Sequence, residues 1–446
     1  MADVQDVVTD RPADEQLRPE PLPTPPLPTE PLPGVLELSV ERMVAGGLGL
    51  AHLPDGRAAL VEGALPGEQV RADVTEERAR LVRATTTEVL DEAPGRVVPP
   101  CPELLAGCGG CDLQHATASL QWALKAGIVS DALLRIGHLH GVPIVAGRRL
   151  APSGYRTTLR CGVDEGGRPG FRRRHRHDLH TIAGCLVAHP LVDDVVRTGE
   201  FPGADEVTIR AGARTGERLV LVSPRAGRSA EDVARAVRVP ADVRVVEAGG
   251  RTARSGDGEA APAWFHEVVH GRSFRISAAS FFQARPDGAE ALVDAVRRAL
   301  GPLDPAEATL ADLYGGVGLF SGALRARHAV LVERSASSVA DARVNLEDLG
   351  ARVVKAPVER WRPMPVDVVV ADPARSGLGK DGAAVGAATG AERVALGRCD
   401  PPARARDARL LVDRGYEVLG VELVDLFPQT HHVEAVTTLR RVAGRP

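Results

Sequence analysis

Six cysteines occur in 446 residues, and the last of them, Cys399, stands alone in VALGRCDPPARARDARLL. A free cysteine is by default a small core hydrophobe. The competing readings are a metal ligand and a nucleophile. Arg398, Arg404 and Arg406 crowd Cys399 in sequence, and they would favour a thiolate if they also crowd it in space. Cys101, Cys108 and Cys111 form C-x6-C-x2-C, and Cys185 follows in HTIAGCLVAHP. Four thiolates suit a structural zinc or a [4Fe–4S] cluster. Zinc sites more often use paired C-x-x-C knuckles, so three clustered ligands and a remote fourth lean toward iron–sulfur. In a reducing compartment such clustering reads as metal ligation rather than disulfides. Cys161 fits no motif and reads as core.

A second set of residues belongs to a nucleoside site. LADLYGGVGLFSGAL is a strand, a glycine turn and a helix, with Asp312 three residues before Gly315. The glycines let backbone approach a ligand beyond the strand's carboxyl end. A dinucleotide fold would want G-x-G-x-x-G, whereas here Gly316 and Gly318 are followed by Ser321. Glu333 ends the next strand, where a carboxylate can accept both ribose hydroxyls. The combination fits S-adenosylmethionine better than a nicotinamide dinucleotide. Asp372, in VVVADPARSG, closes a further strand and is read either as a helix N-cap or as a group facing the reacting centre.

The elements that must position these residues fall into blocks. The first 34 residues hold nine prolines and read as a disordered tail (1–34). Short alternating runs, a PDG turn and paired glycines in 35–95 predict four or five strands and a small β-barrel, a class that often binds oligonucleotides. Residues 96–270 read as a β-rich central domain containing the four-cysteine site, with a helix in SLQWALKAGIVSDALLRIG and a hairpin in DEVTIRAGARTGERLVLVSP. Across 271–446, ATLADLYG, HAVLVE, ARVVKA and VDVVVADP are strands separated by helix-length segments, the pattern of a doubly wound, parallel α/β sheet.

The formal net charge of −4 excludes a globally basic nucleic-acid binder. Nucleic acid contact must come from a local patch, and GFRRRHRHDLH, with Arg172, Arg173, Arg174 and Arg176, is the strongest one. It reads either as solvated surface or as a phosphate contact. No apolar run approaches the roughly 18 residues of a membrane span, and no signal-peptide pattern opens the chain. A cytoplasmic protein with no membrane or obligate protein partner is expected.

SFFQ, DLYGGVGLF, ADPARSG, CDPPARARD and DLFPQTHHVEAV occur in the order found in the RNA 5-methyluridine (uracil-C5) methyltransferase family, which the chain resembles over about residues 35 to 446. The N-terminal barrel resembles that family's TRAM module. The resemblance implies a Rossmann-like methyltransferase domain acting on tRNA or rRNA with S-adenosyl-L-methionine. It implies Cys399 as nucleophile, Glu434 as the base, and Gln283, Tyr314, Glu333 and Asp372 as cofactor contacts. It also implies a [4Fe–4S] cluster on Cys101, Cys108, Cys111 and Cys185. The chemistry is coherent with these roles. Uracil C5 is a poor nucleophile until a thiolate adds to C6, and a base must then remove the C5 proton. Three departures bear on fine positioning: Arg398 replaces the usual serine, DPAR replaces DPPR, and Leu319 stands where some members carry asparagine. Two other functions compete, an RNA N-methyltransferase that needs no cysteine and a non-catalytic RNA-binding or folding factor.

Overall fold

The computed structural model describes residues 34–174, 178–250, 252–304 and 306–444, so the proline-rich tail and Arg176 lie outside the described residues. From Val35 the side chains alternate between exposed and buried, the period of a strand with one face on a core. Six strands form one sheet rather than the expected four or five: Val35–Ser39, Arg42–Val44, Leu48–His52, Ala58–Glu62, Gln69–Glu77 and Leu81–Asp91. The extra strand arises at Gly46 and Gly47, whose φ values of 95° and 74° fold one apparent run into a tight hairpin. Leu38, Val61, Val70 and Val82 fill its core.

The middle of the chain is a second, eight-stranded sheet. Ala204–Ala211 and Arg218–Pro224 form the expected antiparallel hairpin at its centre. The inward residues Val207, Ile209, Val220 and Val222 pack on Val192, Val195 and Val196 of the helix Pro190–Thr198. Cys161 lies in this same core, as the sequence suggests.

The third sheet holds the parallel strands Thr309–Leu313, His328–Glu333, Arg352–Lys355 and Val368–Ala371. They read as unbroken apolar runs because helices cover both faces, and Val368–Ala371 is buried at every position. From Thr309–Leu313 the chain winds outward one way to Arg352–Lys355. It then returns to the other side through Val368–Ala371 and Arg393–Arg398. The switch between Thr309–Leu313 and Val368–Ala371 opens a crevice at their carboxyl ends, where ligands of doubly wound sheets bind. Glu434–Arg441 adds antiparallel to Arg393–Arg398, followed by Tyr416–Val424.

Two segments of the expected central block serve this third sheet instead. Ile144–Ala146 pairs in parallel with Tyr416–Val424. The helix Ala118–Arg135 lays Val129, Ala132 and Leu133 against Ala405, Val433 and Ala435. The cysteine segment is thereby tied to the elements that carry Cys399 and Glu434.

Candidate active site

At the end of Thr309–Leu313 the backbone turns sharply. Tyr314 takes a left-handed φ of 60°, unusual for a non-glycine residue and typical of ligand clamps. A Cβ on Gly315 would sit 2.5 Å from the Leu331 side chain, so only glycine lets the loop pass so close to the neighbouring strand. Glu333 organises this loop by accepting the backbone N–H groups of Gly316 at 3.1 Å and Ser335 at 2.6 Å. Asp312 is fully buried and accepts the N–H and hydroxyl of Ser321 on Oδ2, while its Oδ1 has no hydrogen-bond partner. Burial first, with Asp372 and Glu333 adding negative potential, pushes its carboxyl up to about 6. An orphaned buried carboxylate oxygen beside two more acids suits a cationic ligand such as a sulfonium cofactor.

Tyr314 donates its hydroxyl to Glu359 at 2.9 Å. Leu319 opens the helix Leu319–Leu324 and is buried in its apolar core. The SFFQ segment reaches the same rim through Asp341, which accepts the Ser277 N–H and the hydroxyls of Ser277 and Ser280. Asp341 lies on the helix Ala336–Asn345, just beyond Glu333. Gln283 is buried there, while Phe281, two residues earlier, is 71% exposed.

Asp372 follows Val368–Ala371 and is half-buried. It caps no helix, because the next one, Gly379–Ala388, begins after Leu378. The N-cap reading is therefore set aside. A Cβ on Gly397 would lie 3.1 Å from Asp372 Oδ1, so the glycine admits the carboxylate to the strand end that carries Cys399.

Cys399 follows the strand Arg393–Arg398 and precedes the helix Pro401–Val412, whose N-cap Asp400 accepts the Ala403 N–H at 2.8 Å. In the antiparallel ladder Arg398 pairs with Ala435. Cys399 and Glu434 adjoin that last pair at the same end of the two strands, and the Glu434 charge acts on the thiol. The thiol is half-buried, whereas Glu434 is 5% exposed. Burial, together with Asp372, pushes the Glu434 carboxyl up to about 8, against the pull of Arg404. Burial also pushes Asp372 up to about 6, opposed by Arg404 and Arg398.

The arginines do not act on Cys399 as one group. The thiol lies above its ordinary value through burial, then Glu434 and Asp372, with Arg375 and Arg398 pulling it down. Arg398, the departure from serine, is fully buried and spans the loop after Asp372, donating to the carbonyls of Ala374 at 3.1 Å and Arg375. Arg406 turns away to Ser376 and Asp407. Asp407 in turn accepts the N–H of Leu378 at 2.8 Å. Of the three arginines expected to favour the thiolate if they lay near it, Arg398 pulls the thiol down and also braces the DPARSG loop, Arg404 shares a charge interaction with Cys399, and Arg406 turns away.

The four predicted cysteine ligands line one cavity of about 100 Å³ together with Gln114 and Phe171. Burial raises Cys111 to about 12 and Cys185 to about 11, and raises Cys108, with the neighbouring thiols adding to each. Among the described residues no three His, Cys, Asp or Glu side chains converge tightly enough to hold one metal ion. Arg173 donates to the Ala106 carbonyl at 2.9 Å, and Arg174 donates to the Cys111 carbonyl and to Glu62. Two arginines of the basic run therefore brace the cysteine loops, with Arg173 still partly exposed and Arg172 exposed.

Sequence reasoning missed the brace between this segment and the base. Asp112 accepts the His431 N–H at 2.7 Å, and the N–H groups of Asp112 and Leu113 donate to the Gln429 carbonyl. Gln121 exchanges two hydrogen bonds with Gln429, at 2.9 and 2.8 Å. Lys125 bonds Asp425 at 2.6 Å, and the Tyr155 hydroxyl donates to the Pro428 carbonyl. Gln429 itself has a φ of 70°, so the loop that delivers Glu434 is held in a shape it would not adopt unaided. The only sequence signal was polar residues at buried periods of the helix Ala118–Arg135.

No protein-family profile matches the chain. An uncharacterized RNA methyltransferase of Streptomyces avermitilis is 36% identical over 437 residues, spanning 91% of this chain and 98% of the relative. The 23S rRNA (uracil(1939)-C(5))-methyltransferase RlmD of Chromohalobacter salexigens is 33% identical, spanning 92% of this chain and 90% of the relative. The Pyrococcus abyssi tRNA (uracil-54, C5)-methyltransferase, solved with S-adenosyl-L-homocysteine, matches with a TM-score of 0.67 over 91% of this chain and 100% of its own, at 20% identity. That last likeness shows the shared fold. No helix among the described residues is long and apolar enough to cross a membrane.

Proposed function

The chain belongs to the RNA uracil-C5 methyltransferase family, and from that premise we propose that it methylates C5 of a uridine in structured tRNA or rRNA through a covalent Cys399–uracil adduct. The observation that carries this reading is a half-buried thiol and a buried carboxylate at the same end of one antiparallel strand pair, beside the mouth of the nucleoside crevice. Such a pair is what C5 methylation needs and what an N-methyltransferase does not.

Asp312, Glu333, Asp372, Tyr314 and Gln283 would hold S-adenosylmethionine, whose sulfonium the three carboxylates favour. When bound, the cofactor supplies an electrophilic methyl group to C5. Cys399 sulfur forms a bond to C6, and the C5=C6 electron pair becomes an enolate. Arg375 and Arg398 favour the thiolate form of the attacking group. Glu434 then takes the C5 proton, the C5–H pair re-forms the double bond, and the C6–S bond breaks to return the thiolate. Phe281, exposed beside Gln283, offers a ring face on which an unstacked base can rest. The barrel of residues 35–95, read as a TRAM-like module, would extend the RNA contact.

Cys101, Cys108, Cys111 and Cys185 would hold a [4Fe–4S] cluster. The fit is supported by four thiols lining one cavity, three of them raised by burial and then by neighbouring thiols, so that a cationic group would stabilise their thiolates. Such a cluster would anchor the segment that holds the Glu434 loop, since methyl transfer moves no net electrons.

The test is RNA carrying 5-fluorouridine, which has no C5 proton to lose. With cofactor present it should trap a protein–RNA adduct in the wild type and none in Cys399→Ala. An active wild type that traps nothing, or undiminished trapping by Cys399→Ala, would sink the assignment.

A further inference from the structure

Arg404 lies in the middle of this site and no role was expected of it beyond nearness to Cys399. It is fully buried on the helix Pro401–Val412, which begins beside the nucleophile. Its Nη1 donates to the Ala435 carbonyl at 2.7 Å and the Thr437 hydroxyl at 3.2 Å, both on the strand that begins with Glu434. Its Nη2 stands 4.0 Å from Glu434 Oε1. Neither Nη2 nor Nε has a hydrogen-bond partner. A buried guanidinium is retained only when an anion compensates it, so two orphan donors mark a contact not yet closed.

The groups facing Glu434 can be named from each packed element. Asp372 faces it from the strand end at Ala371, Arg398 and Cys399 from the neighbouring strand, and Arg404 from the helix. Arg398 is committed to the carbonyls of Ala374 and Arg375. Arg404 is therefore the cation free to answer this carboxylate among those groups. Burial and Asp372 both favour the protonated acid, and a protonated acid cannot take a proton from C5.

We propose that Arg404 is a positioning residue that favours the carboxylate form of Glu434 for the proton-removal step, with its unpartnered Nη2 4.0 Å from that group. The proposal rests on Glu434 being the base and assigns the group that makes it one. Its step is balanced: the C5 proton passes to Glu434, the C5–H pair forms C5=C6, and the C6–S pair leaves on Cys399. Arg404 changes neither bond order nor charge.

An opposite charge within about 4–6 Å typically lowers an acid by about 1–3 pKa units, so losing it should cut the ionised fraction at fixed pH by about 10- to 1,000-fold. In Arg404→Met, cofactor binding should stay near wild type and 5-fluorouridine RNA should still trap an adduct, because neither needs the base. Resolution of the methylated adduct on ordinary RNA should slow at pH 7 by that factor and recover as pH rises. Arg404→Lys, which keeps the charge, should restore the wild-type profile. Thr437→Val removes one of the two bonds that seat the guanidinium and should move the profile the same way by less, so it decides the matter if Arg404→Met does not fold. A rate that falls equally at every pH, or a Thr437→Val profile that does not move, overturns the proposal. If Glu434→Gln fails to accumulate methylated adduct, the base itself is misassigned; if it does and the arginine variants do not respond, only Arg404 is.

Discussion

Replacing Glu434 by glutamine keeps the shape of the side chain and removes its basicity. With the carboxyl raised to about 8, only about one site in ten is ionised at pH 7 in the free protein. Release of product by the wild type should therefore climb roughly fivefold between pH 7 and 8 and about twofold more before it levels above about pH 9. General base catalysis is worth about 10²–10⁴-fold, so on the plateau Glu434→Gln should fall by that much. At pH 7 the gap should be about tenfold narrower, since the wild type is itself mostly protonated there. Methyl transfer precedes the lost step, so a Cys399–RNA species already carrying the methyl group should accumulate on ordinary RNA. The assay is a denaturing gel with cofactor labelled in its methyl group. Normal turnover, or an adduct without label, would refute the role.

The same shift has a consequence for stability. Because the folded-state value is raised, from an ordinary 4.5 to about 8, the native chain holds a proton that the unfolded chain releases between those limits. Stability from this group is thus full below about 4.5 and is lost as pH rises toward 8. Glutamine carries no such term. The melting temperature of Glu434→Gln should therefore rise relative to wild type with increasing pH through that window.

Glu333→Ala should weaken cofactor binding about 10- to 100-fold, the value of one charge-assisted hydrogen bond of about 1.5–3 kcal/mol, as read by calorimetric titration; unchanged affinity would exclude it from the ribose. Arg398→Ser restores the residue of the family pattern but deletes two buried hydrogen bonds, at about 0.5–1.5 kcal/mol each, so it should lower thermal stability and loosen the DPARSG loop to proteolysis. Protein purified without oxygen should be brown and hold about four irons per chain, a content that Cys185→Ser should reduce. One tightly held zinc would overturn the cluster while leaving the methyltransferase intact.

The parallel strands from Thr309 to Ala371 were legible because burial on both faces writes an unbroken apolar run between glycine turns, and local pattern suffices to see it. The glycine loop and Glu333 were legible for the same reason: their positions follow from where a strand ends. Cys399 and Glu434 are different. Each came from resemblance, and their placement at the same end of the ladder depends on a register between segments some 35 residues apart that no periodicity reports. The arginines were misjudged for a related cause. In CDPPARARD they read as neighbours of the thiol and in GFRRRHRHDLH as solvated surface or a phosphate contact, since a charge is buried only where distant partners compensate it, and those partners are chosen by the fold. Arg398 finds carbonyls 23 and 24 residues earlier, Arg404 finds them 31 residues later, and Arg174 reaches Glu62. Departures from a family pattern are then best judged in place. Arginine for serine before the nucleophile looks disruptive as a letter, yet here it closes the loop that carries Asp372. With Arg404 it also sets two positive charges against the two carboxylates, Asp372 and Glu434, between which a thiolate must form.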